Sequence, residues 1–398
     1  MQKIAITRTV TLPNKYALAR YRKAPELGLH VLFFTGGTAL KDLSREIIHY
    51  THKSYHLITP FDSGGSSAVL RKAFHMPAVG DLRNRIMALA DRTIQGNPEI
   101  YDLFAFRLPK DASQEENAER LHKMQQGRDS LVNVIPDPMR KIIRTHLRFF
   151  REAMPAHFNL AGASIGNLIL TGGYLNYNRQ IDPVLFLFSR LVEARGVVRP
   201  IVNKDLTLMS ELEDGTVLAG QHLLTGKELG VISSPVKRMW ISKSQTNIEP
   251  VSVEIRRKIK DIIAKADIIC YPMGSLYSSI LANLMPIGVG SSIAKNDCPK
   301  VYIPNTGNDP ESLGLSVPDC VEKILGTLRE SAGDPDIPAD KLLNFVLLDE
   351  DLSHYSEPFK TSHIERLGVN VVQAPLVVAQ SAPYLDSIAI IDHILSLA

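Results

Sequence analysis

The chain has 398 residues, 44% of them hydrophobic and 22% charged, with a formal net charge of +3. This is ordinary for a soluble globular protein with a large core, as two domains or as one α/β domain with insertions; so small a basic excess argues against nucleic acid as a partner. Cys270, Cys298 and Cys320 are odd in number and lie far apart, and no C-x-x-C pair occurs, so neither a disulfide framework nor a zinc knuckle is expected. The N-terminus "MQKIAITRTVTLP" has no apolar signal core, and no apolar run approaches the ~18 residues of a membrane span. The expectation is a cytoplasmic protein without a membrane partner.

Residues 1–29 are polar and basic and precede the first strong strand; they read as a docking arm or a short edge hairpin. "HVLFF" (30–34) is a compact apolar run typical of a buried parallel strand. "TGGTAL", a helix near 39–50 and the strand "YHLIT" complete a βαβ unit. Residues 98–158 are charged, helix-like and free of strand runs, and read as a helical insertion. "ASIGNLILTGGYLN" and 181–194 follow as helices, then the strand "VVRPIV". "TLMSELEDGTVLAGQ" alternates around Asp214-Gly215, which predicts a hairpin with a type I′ turn. A helix at 251–265, the strand "ADIICYP" and the helix "GSLYSSILANLM" come next. "KVYIPN", a helix near 316–331, "NFVLLDE", "VNVVQAPL" and a closing helix at 385–396 end the chain. Strands alternating with helices predict a Rossmann-like, doubly wound, mostly parallel sheet in a three-layer α/β/α domain spanning 30–398.

In such a sheet, ligands sit beyond the carboxyl ends of the strands. Four loops there are rich in glycine and polar side chains: Thr35-Gly36-Gly37-Thr38, Asp62-Ser63-Gly64-Gly65-Ser66-Ser67, Gly274-Ser275-Leu276-Tyr277-Ser278-Ser279 and Asn305-Thr306-Gly307-Asn308. Glycine permits close backbone approach, and helix N-termini present free N–H groups that suit phosphate. Together they predict a phosphate or nucleotide ligand. Each has a plainer reading as well: "GGT" as a tight strand–helix turn, and Ser66, Ser67 or Asp81 as helix N-caps. Neither GxGxxG nor GxxxxGK[ST] is present, so neither a Rossmann dinucleotide fingerprint nor a P-loop is supported.

The blocks "FFTGGTALKDLSREI", "DSGGSSAVLRK", "VGDLRNRIMALAD", "ASIGNLILTGG", "RGVVRPIVNKDLTLMSELEDGTVLAGQ", "ADIICYPMGSLYSSILANLMPIGVGSSI" and "CPKVYIPNTGNDPES" resemble the CofD/YvcK superfamily, in order, from about residue 30 to 320. The motifs are closest to the YvcK-like branch. The resemblance implies a Rossmann-like sheet with a nucleotide cleft. One branch transfers a phospholactyl group from a guanosine diphosphate-linked donor to a deazaflavin alcohol with Mg²⁺; the other binds UDP-sugars and regulates metabolism. By motif position, Gly36, Gly37 and Thr38 face the phosphates, Gly274, Ser275, Tyr277 and Ser278 line the nucleotide side, and Asp62 and Asp81 are the acidic positions for Mg²⁺. The paired acids of YvcK-like members are Asp62 and Ser63 here, the histidine of "GHS(I/L)GNL" is Ala163, and "GPGSLY" carries Met273.

The leading expectation is a metal-assisted transferase that moves a phospho-linked organic group from a nucleotide-linked donor to an alcohol acceptor, with a non-catalytic nucleotide-sugar-binding regulator as the alternative. The expected partner is a nucleotide diphosphate or nucleotide-sugar, joined by the alcohol acceptor in the transferase, and a homodimer is also expected. Asn167, Asn203 and Asn305 would orient polar ligand groups or serve as turn or cap residues, and Arg83 would contact an anionic group or take a plain surface or salt-bridging role. Asn203 and Thr207, in "RPIVNKDLTLMSELEDGT", are the candidate acceptor wall, unless that hairpin only covers the sheet. His49, His52 and His56 have no accompanying acid or thiol cluster and read as surface histidines rather than a metal site. Arg140, Lys141, Arg144, Arg148 and Arg151 read as a solvated helix face, with an anion-binding stripe as the alternative. No GxSxG or Cys/His nucleophile pattern points to covalent catalysis.

Overall fold

The computed structural model describes residues 9–93, 96–226 and 230–398. Among the described residues ten strands are present: β1 (Val31–Thr35), β2 (Ser54–Ile58), β3 (Val197–Pro200), β4 (Thr207–Leu212), β5 (Val217–Ala219), β6 (Val236–Ser242), β7 (Ile268–Tyr271), β8 (Lys300–Tyr302), β9 (Phe345–Asp349) and β10 (Asn370–Ala374). Seven of them form one sheet in the order β10-β9-β8-β7-β1-β2-β3, and every pairing in it is parallel.

All five residues of β1 are buried because both faces of the sheet are covered. Alternation sends Val31 and Phe33 into one core and Leu32 and Phe34 into the other. The first core is closed by helices Lys41–Ile47, Gly80–Ala88 and Ser387–Ile394, and the helices between 98 and 191 add their apolar faces to it. The second is closed by helices Arg257–Lys265, Val289–Ala294 and Val317–Ala332 and by a small antiparallel sheet, β5-β4-β6. From β1 the chain winds outward through β2 and β3, then returns to β7 on the other side of β1 and winds out through β8, β9 and β10. The β1/β7 boundary is therefore the topological switch point, where open α/β sheets bind ligands.

Several local expectations change. Residues 15–23 form a helix rather than an edge hairpin; its Leu18 and Tyr21 enter the first core, and the Asn14 N–H donates to Ser396 Oγ at 2.7 Å. The β4–β5 turn is not type I′, which needs positive φ at both central residues: of Asp214 and Gly215 only Gly215 has it (+86°), and Leu212 N–H closes the loop on Thr216 O at 2.9 Å. Strand β6 was not expected at all. His56 is no surface histidine: it is buried in β2 and stacked on Phe33 at 5.0 Å, and burial holds its imidazole well below the usual range. Among the described residues, no cluster of three or more His, Cys, Asp or Glu side chains could hold a metal. The basic helix Met139–Ala153 engages its own surroundings: Arg140 and Lys141 reach Asp137, Arg148 reaches Glu152, and Arg144 and Arg151 donate to Gln125.

Candidate ligand cleft at the switch point

A cleft of about 480 Å³ opens over the carboxyl ends of β1, β2 and β7. Its floor is the loop after β1. Gly36 and Gly37 let neighbouring side chains pack directly against the backbone: a Cβ on Gly36 would overlap Ser279 Oγ, and one on Gly37 would overlap Asp81 Oδ1 and sit 2.5 Å from Asp81 Cγ. The β1 loop thus touches both the segment after β7 and the helix Gly80–Ala88.

Arg85 holds that loop from below. It is fully buried; one terminal nitrogen donates to Leu40 O at 2.6 Å and to Ser44 Oγ, the other to Gly36 O at 2.9 Å and Thr35 Oγ1 at 3.3 Å. Burial pulls its pKa down to about 9, against the opposing pull of Asp81. Arg83, two residues earlier, faces the cleft, donates to Ser164 Oγ and, at 2.5 Å, to Asn84 Oδ1. Burial, with repulsion from Arg107, lowers its pKa to about 10.

Helix Gly65–Phe74 starts at Gly64 and helix Gly80–Ala88 at Val79; neither capping residue makes a side-chain cap bond, Asp62 Oδ1 accepts the Gly64 N–H at 3.1 Å, and both starts open on the cleft. Their first N–H groups and positive dipole ends are the kind of surface that takes an anion. Ser66, Ser67 and Asp81 are accordingly not N-caps; they lie inside the first turns. Arg71 fixes the β2 loop by donating to Phe61 O (3.0 Å), Asp62 O (3.2 Å) and Asp205 Oδ1 (2.8 Å). Asn167 enters from helix Ile165–Asn176, donating Nδ2–H to Ser66 Oγ at 2.9 Å, while its buried Oδ1 has no hydrogen-bond partner among the described residues.

Gly36, Gly37, Thr38, Asp62, Gly64, Gly65, Ser66, Ser67, Asp81, Asn167, Gly274 and Ser275 therefore share one cleft. Five expected residues lie elsewhere. Tyr277 and Ser278 are buried: the N–H groups of Leu276, Tyr277 and Ser278 donate to Asp309 Oδ2 (2.9 Å) and Glu311 Oε2 (3.1 and 2.7 Å). Protein carboxylates thus occupy the turn that was expected to face the nucleotide. Asn305 spends both ends of its amide on the Gly274 backbone, at 2.9 and 2.8 Å, and so shapes the loop without lining the cleft. Thr207 is buried at the start of β4, paired with Ser242. Asn203 lines a separate cavity of about 560 Å³ with Arg179, Asp182, Arg199 and Arg256. Sequence reasoning missed Asn84, Arg107, Gln221, His222 and Thr225, which the fold brings in from outside the loop motifs.

Sequence comparison fits this architecture: a family model described as 2-phospho-L-lactate transferase CofD matches residues 31–377. The chain belongs to the CofD family. It is 30% identical over 295 residues to the gluconeogenesis factor of Bacillus subtilis (strain 168), covering 74% of this chain and 73% of that protein. It is 27% identical over 299 residues to the gluconeogenesis factor of Halalkalibacterium halodurans, covering 74% and 73%. The crystal structure of a UPF0052-family protein from Bacillus halodurans superposes with a TM-score of 0.65 at 22% identity, over 92% of this chain and 99% of that one, a likeness of fold.

The CofD family implies Mg²⁺, and the donor set admits it in one way. Asp62 and Asp81 both line the cleft, flanking Gly80, whose Cβ would lie 3.5 Å from Asp62 Oδ2. Mg²⁺ commonly takes one or two carboxylates plus waters and substrate phosphates instead of a full protein cage. Two aspartates lining one cleft fit that pattern, so such an ion would be held jointly with a ligand.

Proposed function

We propose that the cleft binds the diphosphate of a nucleotide or nucleotide-sugar. The observation that carries this reading is the convergence, over one glycine loop at the switch point, of two helix N-termini without side-chain caps. Arg83 and Arg107 supply positive charge beside them, and Asp62 and Asp81 would hold Mg²⁺ against the phosphates. Binding without turnover accords with relatives named gluconeogenesis factor, and with an expected acceptor wall, Asn203 and Thr207, that lies away from the cleft.

The second reading is transfer of a phospho-linked group to an alcohol, supported by the family description and by the two carboxylates facing one cleft. Titration calorimetry with UDP, GDP and UDP-glucose, with and without MgCl₂, tests the shared part. Binding that is strengthened by Mg²⁺ and loses that dependence in Asp62→Asn and Asp81→Asn is expected. No heat from any of the three at millimolar concentration would overturn the assignment. Release of nucleoside monophosphate only on addition of an alcohol acceptor would select transfer over binding alone.

A further inference from the structure

Beside Asp62, the cleft holds a serine–histidine pair that the nucleotide reading leaves unused. Ser63 is buried, and His222 reaches it from the short helix after β5. The backbone N–H of His222 donates to Ser63 Oγ at 3.3 Å, and Ser63 Oγ lies 2.7 Å from His222 Nδ1. The pair sits where Gly220 leaves room: its φ is +121°, and a Cβ there would come within 2.8 Å of Ser63 Oγ and 2.9 Å of His222 Nδ1.

These contacts couple the imidazole tautomer to the Ser63 hydroxyl. Ser63 Oγ accepts the His222 backbone N–H, and among the described residues its own proton has no acceptor other than Nδ1. A hydroxyl that donates to Nδ1 places the ring proton of the neutral imidazole on Nε2. Nε2 makes no hydrogen bond to any described residue and is not among the buried unpartnered atoms, so it is open to solvent on a residue that lines the cleft.

We propose that His222 is a ligand-binding residue, donating Nε2–H to an anionic oxygen of the diphosphate, and that Ser63 is the positioning residue that fixes it as a donor. Where YvcK-like members carry a second acid, this chain carries a hydroxyl that orients an imidazole. The site exchanges an acceptor-only group for a donor directed at phosphate. This rests on the cleft being the nucleotide site, and the test separates the two.

Nitrogen-15 NMR of the free protein reads the tautomer with no ligand present. Protonated Nε2 is expected in the wild type, and a mixture of tautomers in Ser63→Ala. Calorimetry with UDP and GDP then compares the wild type with His222→Gln, which keeps an N–H donor, and His222→Phe, which has none. A loss of affinity of about tenfold or more in His222→Phe is expected, with partial retention in His222→Gln. A free protein with the proton on Nδ1, or equal affinity in wild type and His222→Phe, overturns the proposal while leaving the nucleotide site standing. If the wild type binds neither nucleotide, the site assignment falls and this role falls with it.

Discussion

Gly37→Ala separates the cleft from the fold. Gly37 is not among the glycines with positive φ, so its backbone accepts alanine without strain. The added methyl would overlap Asp81 Oδ1, 2.5 Å from Asp81 Cγ and 3.1 Å from its Cβ, and meets no backbone atom among its nearest neighbours. Asp81 must rotate away. A displaced rotamer costs about 0.5–1.5 kcal/mol, and the smaller conformational freedom of the unfolded chain offsets about 0.4–1 kcal/mol of that. Stability should therefore change by less than about 1 kcal/mol. Binding should suffer more, because losing one hydrogen bond or contact to a charged group removes about 1.5–3 kcal/mol, a weakening of roughly 10- to 150-fold. Gly172→Ala is the contrasting control. Its methyl would overlap the His146 carbonyl oxygen, lie 2.7 Å from that carbonyl carbon and 3.1 Å from Phe150 N, and so force two helix backbones apart; overpacking of that kind costs about 1–3 kcal/mol or more. Thermal unfolding and calorimetry with UDP or GDP in MgCl₂ read both variants. If Gly37→Ala unfolds as early as Gly172→Ala, or binds nucleotide at full strength, the placement of Asp81 over the β1 loop is wrong.

Arg85→Lys should lower stability by about 1–3 kcal/mol and weaken nucleotide binding, because an ammonium retains the buried charge but cannot span acceptors on Thr35, Gly36, Leu40 and Ser44; unchanged chemical denaturation and affinity would refute the bracing role. Glu311 is pushed up to about 7, from an ordinary value of 4.5, by burial and by the neighbouring Asp309. A carboxyl whose pKa is raised on folding gives stability that is full below the unfolded value and lost as pH rises through the folded one, so this contribution should fade between about pH 4.5 and pH 7. Glu311→Gln should flatten that slope in thermal unfolding across the range, and parallel slopes in the two proteins would refute it.

The sheet was legible because its strands admit little but apolar residues. "VLFFT" is buried on both faces, and a run of that kind between glycine-rich turns has few other readings. Strand β6, "VKRMWIS", was not legible. It borders a small sheet, its exposed residues are the consecutive pair Lys237 and Arg238, and its register against β4 shifts at Glu211/Leu212. Those features erase the period of two that marks a half-buried strand. His56 went astray because it was grouped with His49 and His52, which are exposed and half-buried; it lies instead in β2 beside the buried Leu57, with its ring stacked on Phe33 of β1.

In the cleft, the legible residues are those whose role is local. A glycine pair after a strand or an acid in a helix's first turn carries its geometry in neighbouring letters. Arg107, Gln221 and His222 are there because distant segments fold over the loops, and no spacing rule relates them to residues 36–81. The loop after β7 shows the opposite failure. "GSLYSS" was rightly placed after a strand and at a helix start, yet the ligand expected at that N-terminus is replaced by Asp309 and Glu311, more than thirty residues downstream. A helix N-terminus is a site only while its N–H groups are unclaimed, and the claimant here is a pair of acids in "GNDPES" that pattern alone reads as a turn. The starts at Gly64 and Val79 line the cleft, whereas the one at Leu276 is buried against those acids, and this is why the phosphate reading rests on the β1 and β2 side of the switch point.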